Sequence, residues 1–122
     1  MSIATLSARQ VIEDYIKALA GHPKTEQTID SFVDDLHLKQ HILQTEASFP
    51  NCDLVPLQIV AEGDMVAVNA TFKGTHKGLF AGIEPTGKTI SIGAMIFYRV
   101  SNGRIAQFWM FDMLSCIDQL RN

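Results

Sequence analysis

Asp112 stands at the end of an almost entirely apolar run, Phe108-Trp-Met-Phe111. A carboxyl in such surroundings is pushed toward a raised pKa, which suits a general acid or base working near neutral pH. Such a group can take a proton beside a substrate carbonyl while a neighbouring donor holds the developing enolate oxygen. A plainer role is the more ordinary one: Asp112 can cap the short amphipathic segment that follows it. His76 can likewise donate to a substrate oxygen. Set among glycines, it more readily bonds loop carbonyls and fixes a turn. Tyr98 and Trp109 each offer a flat face and a polar handle to a ring-bearing ligand, although strand aromatics are more often plain core.

Two patterns look like sites and fail on context. Gly82-Ile-Glu-Pro-Thr-Gly87-Lys88-Thr89 satisfies the phosphate-binding pattern G-x-x-x-x-G-K-[ST]. That pattern needs a helix to leave the loop, so that free N–H groups face the phosphates. Here Ile90 and Ile92 alternate with Thr89 and Ser91, which is strand spacing, and Pro85 removes a donor. The stretch reads as a hairpin connection. His37 and His41 share a helical face at i, i+4, but His-Leu-Lys-Gln-His lacks the metalloprotease Glu and has no evident third ligand. No metal site is expected.

The elements that must position these groups follow from periodicity. Ser7-Ala-Arg-Gln10 fits a capping box, and Val11, Ile12, Tyr15, Ile16 and Leu19 then share one helical face before Gly21 and Pro23. Thr25 can cap a second helix with Ile29, Phe32, Val33 and Leu36 on its apolar side. Asp34-Asp35 then caps a third from about Leu36 to Ser48, with Leu38, Ile42 and Phe49 apolar, ended by Pro50. From Leu54 the period becomes two. Strands are expected over Leu54–Ala61, Met65–Phe72, Thr89–Val100 and Arg104–Phe111. Glu62-Gly-Asp64 and Ser101-Asn-Gly103 supply tight turns, and Gly74–Lys88 the long connection. An amphipathic tail, Met113–Leu120, closes the chain. Helices followed by antiparallel strands predict an α+β domain over residues 1–122. One strand face carries Met65, Ala67, Gly93, Met95 and Phe97, an apolar subset that suggests an identical subunit across a two-fold axis.

Composition narrows the classes of function. With 122 residues, 47% hydrophobic and 19% charged, the chain can bury a core without disulfides or metal. A net charge of −3 and no Lys/Arg cluster argue against a nucleic-acid surface. No apolar run approaches the ~20 residues of a membrane span. The first residues lack a basic segment, and Glu13 and Asp14 interrupt any signal-like core, so the expected location is cytoplasmic. Cys52 and Cys116 lie far apart in no metal or redox spacing, and each reads as a small buried hydrophobe.

Taken from the third helix onward, the chain resembles the SnoaL-like polyketide cyclases and ester cyclases of the NTF2-like superfamily. The resemblance rests on Leu38-Lys-Gln-His41, Phe49-Pro50, Glu62-Gly-Asp64 and Gly74-Thr-His-Lys-Gly78. It continues through Gly82-Ile83, Pro85-Thr-Gly-Lys88, Tyr98-Arg99, Gly103-Arg-Ile105 and Trp109 through Asp112 to Gln119-Leu120. It implies a cone-shaped barrel, with N-terminal helices packed in a curved antiparallel sheet and a ligand cavity at the open end. It also implies a homodimer built on the outer sheet face. In the cyclases proper a cavity carboxyl closes a ring by an intramolecular aldol step without metal or cofactor, and Asp112 matches it. In such a cavity His76 is a second catalytic candidate, and His41, Phe49, Tyr98 and Trp109 are candidates to bind an apolar small molecule. The chain departs from the pattern in four ways. Phe108 replaces a His, Asn69 an Arg and Glu84 a Pro, and the Trp109–Asp112 spacing is one residue short, implying a bulge or a shifted Trp. These departures bear on the chemistry and not on the fold. The same fold also suits a non-catalytic binding protein or a dimeric interaction module.

Overall fold

The computed structural model describes residues 7–111 and 114–121. The elements run α1 (Ala8–Leu19), α2 (Glu26–Asp30), α3 (Leu36–Ser48), β1 (Asp53–Glu62), β2 (Met65–Thr75), β3 (Thr89–Ser101), β4 (Arg104–Phe111) and α4 (Leu114–Arg121). The four strands form an antiparallel sheet in the order β1-β2-β3-β4, so each strand pairs with its neighbour in sequence. No described helix is long and apolar enough to cross a membrane.

Caps fix the helix starts as the sequence implies. The Ser7 hydroxyl accepts from Gln10 N at 3.1 Å, Thr25 does the same for Thr28, and Asp35 accepts from His37 N at 2.8 Å. These side chains satisfy donors that the first turn leaves orphaned. α1 then buries the expected stripe of Val11, Ile12, Tyr15, Ile16 and Leu19. α2 is shorter than its apolar spacing predicts, because it stops at Asp30. Arg104, arriving from β4, donates to the carbonyls of Asp30, Ser31 and Val33 and pairs with Asp34. That fork occupies carbonyls at the helix end, and Val33 bridges to Ile105 as a strand would. Leu36 consequently belongs to α3 and points outward, 63% exposed.

β2 and β3 follow the expected alternation over most of their length, whereas β1 does not. Val66, Val68 and Ala70 of β2 and Ile90, Ala94, Ile96, Tyr98 and Val100 of β3 are buried on the inner face against the helices. Their neighbours Met65, Ala67, Met95 and Phe97 take the outer face. Pro56 lies on edge strand β1 beside a register shift before Gln58, where a missing donor is tolerated. Asn102 and Gly103 both take positive φ, 54° and 74°, as a two-residue hairpin turn requires. A second irregularity sits between β3 and β4, where Arg99 pairs with Gln107 but Val100 with Ile105. After Lys88 the chain enters β3 directly, so no helix N-terminus faces the Gly82–Lys88 turn.

Candidate functional site

The middle of the inner sheet face carries two small side chains, Ala70 of β2 opposite Ala94 of β3. A cavity of about 130 Å³ remains between α1, α3 and the sheet, with Ala94 in its wall. The wall is mainly apolar, with Ile16 from α1, Leu38 and Ile42 from α3, and Phe72, Ile96 and Met110 from the sheet. A few polar groups interrupt it, the usual make-up of a small-molecule site.

The first polar group is a tyrosine pair. Tyr15 of α1 and Tyr98 of β3 both line the cavity, with ring centroids 5.8 Å apart in a T-shaped contact. Burial pushes both phenols above their ordinary pKa, and a side-chain hydrogen bond links them. Both therefore stay protonated at neutral pH, and each buried hydroxyl has a partner. The second is His41 of α3, half-buried beside Phe108 at 6.0 Å between ring centroids. Burial lowers its pKa, so the imidazole is neutral near pH 7 and keeps one donor and one acceptor. His37, one turn earlier, is exposed.

The third group gathers where α1 ends and β1 begins. Lys24, Cys52 and Asp53 all line the cavity there. Lys24 Nζ donates to the Cys52 carbonyl at 2.6 Å and to the His22 carbonyl at 2.8 Å, and Glu46 lies 3.7 Å away. Burial pushes the Cys52 thiol up, while the nearby Lys24 charge pulls the other way. Among the described residues no group of three or more His, Cys, Asp or Glu side chains could hold a metal ion.

Of the residues singled out in the sequence, His41, Phe49 and Tyr98 line this cavity together. His76 and Trp109 are not part of its wall. His76 is wholly buried in the β2–β3 connection, where its Nδ1 accepts from Thr86 N at 3.2 Å and lies 3.0 Å from the Thr86 hydroxyl. Its backbone joins Lys88 and Gly87 across the turn, and its ring rests on Phe49. The ring thus ties the turn through Thr86 and not through loop carbonyls, and its Nε2 is buried without a hydrogen-bond partner among the described residues. Trp109 pairs with Phe97, which puts it on the outer sheet face under the Arg99 guanidinium, 5.7 Å from the ring centroid. The irregularity in β4 lies before Trp109, opposite Arg99 and Val100, and it sets this parity. Asp112 lies outside the described residues.

Sequence reading missed Tyr15, Lys24 and Asp53 as cavity groups, while Cys52 is the small buried hydrophobe expected, 7% exposed, and borders the cavity as well. Tyr15 did leave a signal. It is the only hydroxyl on an otherwise aliphatic stripe, and a buried tyrosine needs a partner for that hydroxyl. Lys24 left none, since one lysine in a short connection belongs to no periodic pattern.

Comparison with known proteins gives a consistent answer. The sequence profile of SnoaL-like polyketide cyclases matches residues 11–120. No curated protein matches the sequence. Among solved structures, AclR from Streptomyces galilaeus superposes with a TM-score of 0.78 at 21% identity, covering 93% of this chain and 80% of its own. TsrD from Streptomyces laurentii gives 0.75 at 23%, covering 98% and 97%. A SnoaL-like polyketide cyclase from Agrobacterium tumefaciens gives 0.74 at 18%, covering 95% and 99%. At such identities these likenesses speak for the fold, the NTF2-like α+β architecture.

Proposed function

Because this chain belongs to the SnoaL-like polyketide cyclase family, we propose that it is a small enzyme acting on an apolar small molecule held between its helices and sheet. The observation that carries this reading is the mainly apolar cavity with its few convergent polar groups. In the proposed reaction the Asp112 carboxylate takes a proton from a carbon beside a substrate carbonyl. The resulting enolate carbon attacks a second carbonyl of the same molecule, forming a carbon–carbon bond. Asp112 returns its proton to the new alkoxide, so the step balances without a cofactor. Support for Asp112 comes from the sequence alone: it follows the apolar run Phe108–Phe111 and matches the carboxyl of the family pattern.

A non-catalytic binding protein is the second reading. It is favoured by His76, which lies outside the cavity wall and so leaves the cavity without the second catalytic candidate. Carboxyl NMR titration of the wild type against Asp112→Asn separates the two. The enzyme reading expects an Asp112 pKa well above the ordinary ~4 that moves when an apolar ligand is added. A value at or below ~4, with Asp112→Asn mainly lowering stability, would make Asp112 a helix cap and leave only binding.

The outer sheet face supports a homodimer as the working unit. Met95, Phe97 and Trp109 are 45%, 38% and 39% exposed in the single chain, and Val60 of β1 extends the same face. Light scattering should give a mass near twice 13.5 kDa, and Met95→Glu should shift it to the monomer by burying an unpaired charge. A wild type that stays monomeric at high micromolar concentration would refute the dimer.

A further inference from the structure

We propose that Lys24 anchors the cavity's ligand through an uncharged carbonyl oxygen, and that the enclosed part of this ligand is about the size of one ring. The inference rests on the reading of the cavity as a binding site. Lys24 lies in the short connection between α1 and α2, with its side chain 6% exposed. A charge so removed from water must be paired and hydrogen-bonded. Its ammonium carries three protons. Two go to main-chain oxygens, Cys52 at 2.6 Å and His22 at 2.8 Å. The third has poor acceptors nearby. The Cys52 sulfur is a weak one, and Glu46 Oε1 at 3.7 Å is beyond hydrogen-bond length. The Glu46 carboxylate already accepts from Asn51 N at 3.1 and 3.3 Å. Lys24, a residue in the wall of a mainly apolar cavity, is therefore short of one good acceptor.

Charge selects the kind of oxygen. Glu46 balances Lys24, and Asp53 lines the same cavity, so an anionic ligand would add a further negative charge beside two carboxylates. A ketone or ester carbonyl accepts the proton without that repulsion. The ammonium would also face the oxygen on which charge builds when a neighbouring carbon loses its proton, so the anchor fits the proposed chemistry. Volume selects the size. An apolar cavity of ~150 Å³ accommodates benzene, and this one holds about 130 Å³. The enclosed part therefore takes about one ring, and a larger ligand would extend through the open side.

Three probes of similar shape test the proposal: ethylbenzene, acetophenone and benzoate, titrated by NMR into the wild type, Lys24→Met and Lys24→Gln. The wild type should bind acetophenone about tenfold more tightly than ethylbenzene, the worth of one hydrogen bond to a charged group. Lys24→Met should erase that preference, and Lys24→Gln, which keeps a donor, should retain part of it. A lysine that only ties the connection to β1 would weaken both probes alike and keep their ratio, which overturns the proposal. Tighter binding of benzoate than of acetophenone overturns the uncharged oxygen. Ethylbenzene binding with no gain for acetophenone defeats the anchor and leaves the cavity a binding site, whereas no binding of any probe defeats both. Should neither variant fold, the wild-type Lys24 Nζ resonance decides: it must move with acetophenone and stay still with ethylbenzene.

Discussion

Phe49→Ala should destabilise the protein by about 3–5 kcal/mol, the range for removing a buried aromatic ring. Phe49 is 1% exposed and caps α3, its N–H bonded to the Thr45 carbonyl at 2.7 Å. Its ring meets Phe72 at 5.6 Å, Phe80 at 5.3 Å and His76 at 5.5 Å between centroids. It is therefore the hub where the end of α3, the sheet and the β2–β3 connection meet. The site cannot collapse into the space, because Phe49 also borders the cavity and its removal merges the void with existing empty volume. Against a total stability of ~5–15 kcal/mol, such a loss brings the variant near global unfolding. Urea unfolding of wild type, Phe49→Leu and Phe49→Ala should show a graded fall in midpoint at constant slope. A loss under ~1 kcal/mol for alanine would mean the cluster is not a structural hub.

Gly78→Ala should cost about 3 kcal/mol or force the β2–β3 connection off α3. A Cβ at Gly78 would lie 2.0 Å from the Ala47 carbonyl oxygen and 3.0 Å from its carbon. Both are backbone atoms, so no rotamer change relieves the overlap. The close approach exists because Lys77 N and Gly78 N both donate to the Ser48 carbonyl, at 2.9 and 3.1 Å, while the Ser48 hydroxyl donates to Leu79 O at 2.8 Å. These bonds dock the connection on the last turn of α3 and set Phe80 in the cavity wall. Gly93→Ala is the matched control. A Cβ there meets nothing within 4 Å, so its effect should stay within ~0.5 kcal/mol. Equal melting temperatures for Gly78→Ala and Gly93→Ala would contradict the steric argument.

The glycine-rich connection also shows how far sequence reading reaches. The phosphate-binding match at Gly82–Thr89 fails in the sequence because strand spacing follows Lys88, and β3 does begin at Thr89. His76 is legible as a turn-fixing histidine because of the glycines around it, and Thr86 proves to be its partner. What no local pattern reveals is that the same connection reaches back to Ser48, some thirty residues earlier.

The cavity divides along the same line. By itself the sequence determined the helices, the strands and the two faces of β2 and β3. Caps, turns and the periods of 3.6 and 2 arise from sterics and hydrogen bonds between near neighbours. It therefore placed Tyr98 inward and Met95 and Phe97 outward, and put His41 next to the apolar side of α3. Only the tertiary structure decided that Trp109 turns outward, because the irregularity opposite Arg99 and Val100 resets the parity of β4 against its neighbour. Only tertiary packing brought Tyr15, Lys24, Cys52 and Tyr98 around one space. Those residues are spread across most of the chain, and a cavity is the volume that distant surfaces fail to fill, which no local period encodes.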